Sequence, residues 1–382
     1  MKKKSVFSLL LILLLIFSSL PVSAQNFNTV AEYAALMEVS TGQFLYVKNA
    51  DEPRPPASIT KIMTLLLAFE ALERGDINWD TKTIVSERAW RIGGSSMFLE
   101  VDTEVTVEEL INGIIIVSAN DGCVAMAELL AGSEEAFAQR MNQRAQELGL
   151  KQTQFQNSTG MPAENHYMSA RDIAILAREL ITKHPRILEI AQKREYTYNN
   201  IRQDNLNPLI GRFNGADGLK TGSTPQSGYS LVGTAVQNNM RLISVTLNAP
   251  DKAQRLLASQ ELLNYGFHNF DFTKAVEKGE TIGEIAVKDG KQQSVALTVE
   301  EDLSVLTPKG RQDDLEFAVS DEQQLNAPVE KGTQAATLLV KLDGETITTA
   351  PLVTAQTVNR ANIFIRFFRG IINFIRSLIN RI

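Results

Sequence analysis

Ser58 and Lys61 stand three residues apart in Pro55-Pro56-Ala57-Ser58-Ile59-Thr60-Lys61, ahead of an apolar run that ends at Gly75. Residues three apart share one face of a helix, so the spacing predicts a hydroxyl beside an amine in the first helical turn. A serine hydroxyl is a poor nucleophile without a base in hydrogen-bond reach. Lys61 can be that base when neutral, and burial or a second cation would lower its pKa. Taken alone, the pair also fits an N-cap serine and a solvated first-turn lysine. Two further groups tip the reading toward nucleophilic catalysis. In Ser118-Ala119-Asn120 the hydroxyl can relay a proton and the amide can hold a peptide backbone. In Lys220-Thr221-Gly222-Ser223 a cation and two hydroxyls offer a pocket for a free carboxylate. The backbone N–H groups of Ser58 and Ser223 can cradle an oxyanion. Ser-x-x-Lys, Ser-x-Asn and Lys-Thr-Gly each occur once in the chain.

These groups need elements to hold them. The run after Ser58 is apolar on nearly every side, which predicts a buried helix. Thr106-Val-Glu-Glu109 is a capping box opening a second helix, interrupted at Ser118 to Gly122 and resuming to Gly132. Ser133 caps a helix ending at Gly149, and Ser169 begins another running to about Lys183. Tyr33–Met37 and Gln43–Val47 flank a turn, as do Tyr229–Val236 and Leu242–Leu247 around Asn238-Asn239. Arg255 to Tyr265 reads as a closing helix, and Asp76 to Glu104 as a loop-rich flap. Strands at both ends of a helical middle predict an α+β domain, one antiparallel sheet with helices packed on it, over 25–273. From 274 to 357, short alternating segments separated by Asp289-Gly290, Lys309-Gly310 and Asp343-Gly344 predict a small all-β domain.

The 382 residues carry a net charge of -6, unevenly spread. The first 24 residues hold three lysines and no acid, the last 24 five arginines and no acid, leaving 30 basic against 44 acidic side chains between. An acidic body argues against a nucleic-acid partner. Lys2 to Lys4, an apolar stretch from Phe7 to Leu20 and Val22-Ser23-Ala24 form a signal peptide over 1–24, so the expectation is export. Over 359–382, Asn362, Arg366, Arg369, Asn373, Arg376 and Asn380 draw one polar stripe on an otherwise apolar helix. That pattern predicts an amphipathic anchor lying in an anionic membrane surface rather than a spanning segment. Cys123 is the sole cysteine and reads as a small buried hydrophobe, and His166, His184 and His268 lack metal-ligand spacing. No metal or other cofactor is expected.

The three patterns, in this order, are the set shared by class A β-lactamases and penicillin-binding proteins, with Ser-Ala-Asn here in place of Ser-Asp-Asn. The chain resembles the low-molecular-mass penicillin-binding proteins that are D-alanyl-D-alanine carboxypeptidases, the penicillin-binding-protein-5 type. Further matches are Asp217-Gly-Leu-Lys-Thr-Gly-Ser-Thr224 followed by Ser227-Gly-Tyr229, Tyr167-Met-Ser-Ala-Arg-Asp172, and Arg255 ten residues ahead of Tyr265-Gly-Phe267. The resemblance implies a β-lactamase/transpeptidase-like catalytic domain, a β domain and a membrane tail. It also implies that Ser58 is acylated, with Lys61 as base and Ser118 and Asn120 assisting. Lys220, Thr221, Gly222 and Ser223 then receive the substrate carboxylate, helped by Arg255. Stem peptides of peptidoglycan ending in D-Ala-D-Ala are the implied substrates and β-lactam antibiotics the implied covalent ligands. The implied location is the outer, periplasmic face of the bacterial cytoplasmic membrane. Two departures, Ser223 where well-known relatives carry histidine and Pro162 after Gly160-Met161, bear on deacylation and peptide preference. A serine β-lactamase would need a Glu-x-x-x-Asn loop, which Glu164 to Met168 does not supply. A non-catalytic peptidoglycan-binding scaffold would not need the paired nucleophile and base.

Overall fold

The computed structural model describes residues 27–367, 369 and 371. The expected signal peptide and the last turns of the expected anchor lie outside the described residues.

The strands β1 (Tyr33–Glu38) and β2 (Phe44–Lys48) form the first hairpin. They join β3 (Ala216–Thr224), β4 (Gly228–Gln237) and β5 (Met240–Ala249) in one antiparallel sheet, in the order β2-β1-β5-β4-β3. Alternation along β1 divides its side chains between two cores. Tyr33, Ala35 and Met37 face the large helical cluster, while Ala34 and Leu36 face a second cluster on the other side. The sheet is therefore buried on both faces, and β1 has no exposed position.

The helices on the first face are α1 (Lys61–Arg74), α2 (Glu87–Arg91), α3 (Val107–Ile116), α4 (Asn120–Ala131), α5 (Glu134–Glu147), α6 (Ala170–Lys183) and α7 (Arg186–Ala191). Their starts follow the capping residues in the sequence. Thr106 and Glu109 form the reciprocal box, and Ser133 and Ser169 accept from Ala136 N and Asp172 N. As its composition requires, α1 is the central helix, with Ile62, Met63, Leu65, Leu66 and Ala68 wholly buried. On the opposite face, α8 (Lys252–Asn269) runs longer than the expected Arg255 to Tyr265, because Asp251 caps it at Gln254 N.

Two local departures have physical causes. The helix after Ser118 resumes at Asn120, not beyond Gly122. A side chain at Gly122 would sit 3.3 Å from Ile114 and Met97, so the glycine marks tight packing rather than a break. Residues 195–204, to which the sequence analysis assigns no element, form the hairpin Glu195–Tyr198 with Ile201–Asp204. Its turn, Asn199-Asn200, takes positive φ at both residues, as Asn238-Asn239 does.

The second sheet comprises six strands in the order Glu316–Ser320, Gln334–Leu342, Glu345–Thr354, Ser294–Thr298, Thr281–Lys288 and Leu325–Asn326, around its own apolar cluster. Strand Phe270–Val276 crosses position 273 and pairs with Leu303–Pro308. Residues 363–367, 369 and 371 are helical, and Ile363, Phe364 and Phe367 are 67%, 71% and 65% exposed. Arg369 turns back to donate to Gly290 O at 2.7 Å and Lys291 O at 3.2 Å. Among the described residues, no helix is long and apolar enough to cross a membrane.

The backbone meets itself closely where the loop after α5 reaches the turn before α1. Gly160 has φ +82°, and a Cβ there would overlap the Ala57 carbonyl oxygen. Gly160→Ala is expected to destabilise the domain by at least about 2 kcal/mol, read by urea denaturation, since both backbone strain and overlap oppose it.

Candidate active site

Ser58 lies in a short 3₁₀ turn, Ala57–Thr60, that leads directly into α1. Neither Ser58 nor any other side chain caps this turn, which removes the bland N-cap reading. Ala57, immediately before the serine, holds φ at +48°, a conformation L-residues adopt at a cost of about 1–2 kcal/mol. Gly222 of β3 presses on the same turn, since a Cβ on it would stand 2.9 Å from Pro56 O and 3.2 Å from Ile59 N. The nucleophile's turn is thus wedged between β3 and the loop at Gly160.

Lys61 is fully buried, and its Nζ lies 2.7 Å from each of Ser58 Oγ, Asn120 Oδ1 and Thr159 O. Burial lowers its pKa to about 8. A neutral amine has two hydrogens and one lone pair. Two of these acceptors, Asn120 Oδ1 and Thr159 O, can take the hydrogens, which aims the lone pair at the serine hydroxyl. Lys220 on β3 is also buried, and its pKa falls well below the usual lysine range, first through burial and then through repulsion by Lys61. Among the described residues, its Nζ donates only to Thr221 O, at 3.1 Å, leaving donors available to a ligand.

Ser118 occupies the break between α3 and α4 with φ +62°, and its buried Oγ has no hydrogen-bond partner among the described residues. Asn120 is fixed from both ends, giving Nδ2 to Gly93 O at 2.7 Å while Oδ1 accepts from Lys61. Arg255, on α8, is 6% exposed with an unpartnered Nε and sits 5.9 Å from the Tyr229 ring, itself opposite Ser223 in the β3–β4 ladder. β3 is an edge strand of its sheet, and Ser223 near its end is exposed. All the residues singled out in the sequence, Ser58, Lys61, Ser118, Asn120, Lys220, Thr221, Gly222, Ser223 and Arg255, therefore surround the end of this open edge.

Several supporting groups were not singled out in the sequence. Asp121 is buried and accepts from Ser96 Oγ, Met97 N, Leu99 N and Gly122 N, which straps the flap over α4. The signal was an acid in the first turn of a helix whose next six residues are glycine or apolar. Glu134 accepts from Ser158 N and Oγ, and Asn157 Oδ1 from Thr159 N and Gly160 N, fixing the loop that carries Thr159 O. That carbonyl is backbone, so no residue type could announce it. His166 meets Thr60 Oγ1 at 2.9 Å, and burial lowers its pKa to about 4. The buried Cys123 thiol is pushed up to about 12 by burial, which suits a packing residue. Among the described residues, no cluster of His, Cys, Asp and Glu could hold a metal ion.

Fold and site together define a serine acyl-transfer enzyme with a buried lysine beside its serine. The profile described as D-alanyl-D-alanine carboxypeptidase matches residues 21–251, and that of the penicillin-binding protein 5 C-terminal domain matches 270–360. D-alanyl-D-alanine carboxypeptidase DacF of Bacillus subtilis is 40% identical over 345 residues, 89% of this chain and 88% of that protein. The crystal structure of penicillin-binding protein 5 from Haemophilus influenzae is 36% identical with a TM-score of 0.78, over 87% of this chain and all but 1% of that one. Penicillin-binding protein D2 of Listeria monocytogenes, solved in an ampicillin-bound form, is 31% identical with a TM-score of 0.58, over 63% of this chain and 99% of that chain. The chain belongs to the D-alanyl-D-alanine carboxypeptidase family and is a serine-type peptide hydrolase. The β-lactamase and scaffold readings are not favoured.

A lysine must be neutral to accept a serine proton, and the neutral fraction of Lys61 rises with pH. In a pH profile of kcat/KM, D-alanine release is expected to climb about tenfold per unit below about 8 and level off above it.

Proposed function

We propose that this enzyme removes the terminal D-alanine from peptidoglycan stem peptides through an acyl-enzyme on Ser58, at the outer face of the cytoplasmic membrane. The observation that carries the chemistry is the 2.7 Å contact between Ser58 Oγ and the buried Lys61 Nζ. The peptide's terminal carboxylate enters beside Lys220, Thr221, Ser223 and Arg255. Its negative charge favours the proton on Lys220, and repulsion then keeps Lys61 neutral. Ser58 Oγ attacks the carbonyl carbon of the penultimate D-alanine while its proton passes to Lys61. The oxyanion is held by the N–H groups of Ser58 and Ser223. As the peptide bond breaks, the departing D-alanine nitrogen takes that proton by way of Ser118, whose hydroxyl has no other partner among the described residues. Water then adds to the ester, which restores the serine and frees the shortened peptide.

A β-lactam presents the same carboxylate and a strained amide, so it acylates Ser58 in the same way. Its leaving amine stays tethered in the adduct and hinders the water. Ser58→Ala is expected to abolish both D-alanine release from a D-Ala-D-Ala peptide and the penicillin adduct in an intact-mass spectrum. Release that survives the substitution overturns the assignment.

Export rests on the N-terminal leader pattern, and attachment on the tail. The exposed Ile363, Phe364 and Phe367 give the tail an apolar side. The chain from residue 25 onward is expected to co-sediment with anionic lipid vesicles, and residues 25–357 to stay in solution. Equal sedimentation of the two would remove the tail from this reading.

A further inference from the structure

Beside Ser58 lies an open cleft of about 340 Å³ that the chemistry above does not use. It is lined from three segments, Pro56 and Ala57 before the serine, the loop that carries Gly160, Glu164 and Tyr167, and Thr224 and Gln226 at the end of β3. It continues from the site in one direction. The carboxylate pocket is at Lys220 and Thr221, the nucleophile's turn touches Gly222, and the cleft begins at Thr224, beyond the last residue of the pocket. A peptide whose carboxylate is held at the first position and whose penultimate carbonyl lies over Ser58 must run its upstream residues toward the third. An extended chain advances roughly 3.5 Å per residue, so the residue next upstream of D-Ala-D-Ala is the one whose side chain reaches the cleft.

Among the described residues that line this cleft, Glu164 is the one carboxylate, and there is no lysine or arginine. His166 also lines it, but burial holds its pKa near 4 and so keeps it neutral. Glu164 is exposed and makes no hydrogen bond or ion pair with any described residue. Its loop is not loose, because Asn157 Nδ2 holds Met161 O at 2.9 Å, Glu134 holds Ser158, and Gly160 presses on Ala57. The carboxylate is therefore carried on a loop fixed to the nucleophile's own turn.

We infer that this cleft binds the residue immediately upstream of the D-Ala-D-Ala end, and that Glu164 selects a cationic side chain there. The inference rests on the carboxypeptidase reading and adds a specificity-determining residue to it.

The test compares kcat/KM for D-alanine release from two peptides, Nα-acetyl-Lys-D-Ala-D-Ala with a free ε-amine and the same peptide with that amine acetylated. A part-exposed ion pair predicts a preference of about two- to fivefold for the free amine at low salt. Salt screening shrinks the preference as ionic strength rises. In Glu164→Gln the ratio falls to about one, and in Glu164→Lys it inverts. Each ratio is taken within a single variant, so a general loss of activity does not imitate the effect. Equal rates for the two peptides in the unaltered enzyme, or a preference kept in both variants, overturn the role of Glu164 and leave the carboxypeptidase standing. Release of D-alanine from neither peptide overturns both.

Discussion

Two buried amines that hold their protons weakly underlie this structure's chemistry. Lys61 and Lys220 are each almost completely withdrawn from water, burial lowers the proton affinity of both, and repulsion by Lys61 lowers that of Lys220 further. Burying a cation is costly unless polar groups replace its hydration. Around Lys61 that replacement is complete, with a hydroxyl, an amide oxygen and a backbone carbonyl at hydrogen-bond distance. Lys220 is left incomplete, which makes it the natural place for an anionic ligand to supply what water no longer does. The two lysines thus differ in their surroundings, one satisfied and one open to an anion, without any difference in residue type.

Keeping that arrangement requires three distant segments to meet to within a few tenths of an ångström. The turn at Ser58 is gripped by Gly222 from the sheet and by Gly160 from the loop after α5. The break between α3 and α4 brings Ser118 and Asn120 in from the helical side, and Asp121 clamps the flap over them. Glycine serves the two pinch points because only a residue without a Cβ lets backbone approach backbone so closely. The strain at Ala57 persists because all three surroundings determine it at once.

Much of this was legible in the sequence, for identifiable reasons. Side-chain chemistry with a fixed local spacing is written in residue types, so Ser58 with Lys61 and the Lys-Thr-Gly run could be read directly. Helix starts were legible where Thr106, Ser133 and Ser169 act through contacts three residues away, whereas the start capped by Asp251 was placed too late. What could not be read was tertiary. Thr159 contributes a carbonyl that every residue possesses, and Gly122 looked like a break until the packing of Ile114 and Met97 gave it another purpose. The Asn199-Asn200 hairpin was missed although its turn carries the same signal as Asn238-Asn239, because its strands are too short and polar to show alternation.

The open edge of β3 has a cost of its own. A strand with unpaired backbone groups invites not only a peptide but the equivalent strand of another molecule, the first step toward sheet-to-sheet aggregation. Natural proteins guard such edges with proline or with a charge turned inward, and here both occur. Pro225 follows directly on Thr224 at the strand's end, and Lys220 is buried at its middle. A second copy of β3 laid along this edge brings no anion to the buried Lys220 amine, whereas a ligand that ends in a carboxylate does. The buried lysine thus makes this edge a better seat for a chain that ends in a negative charge than for another copy of the strand.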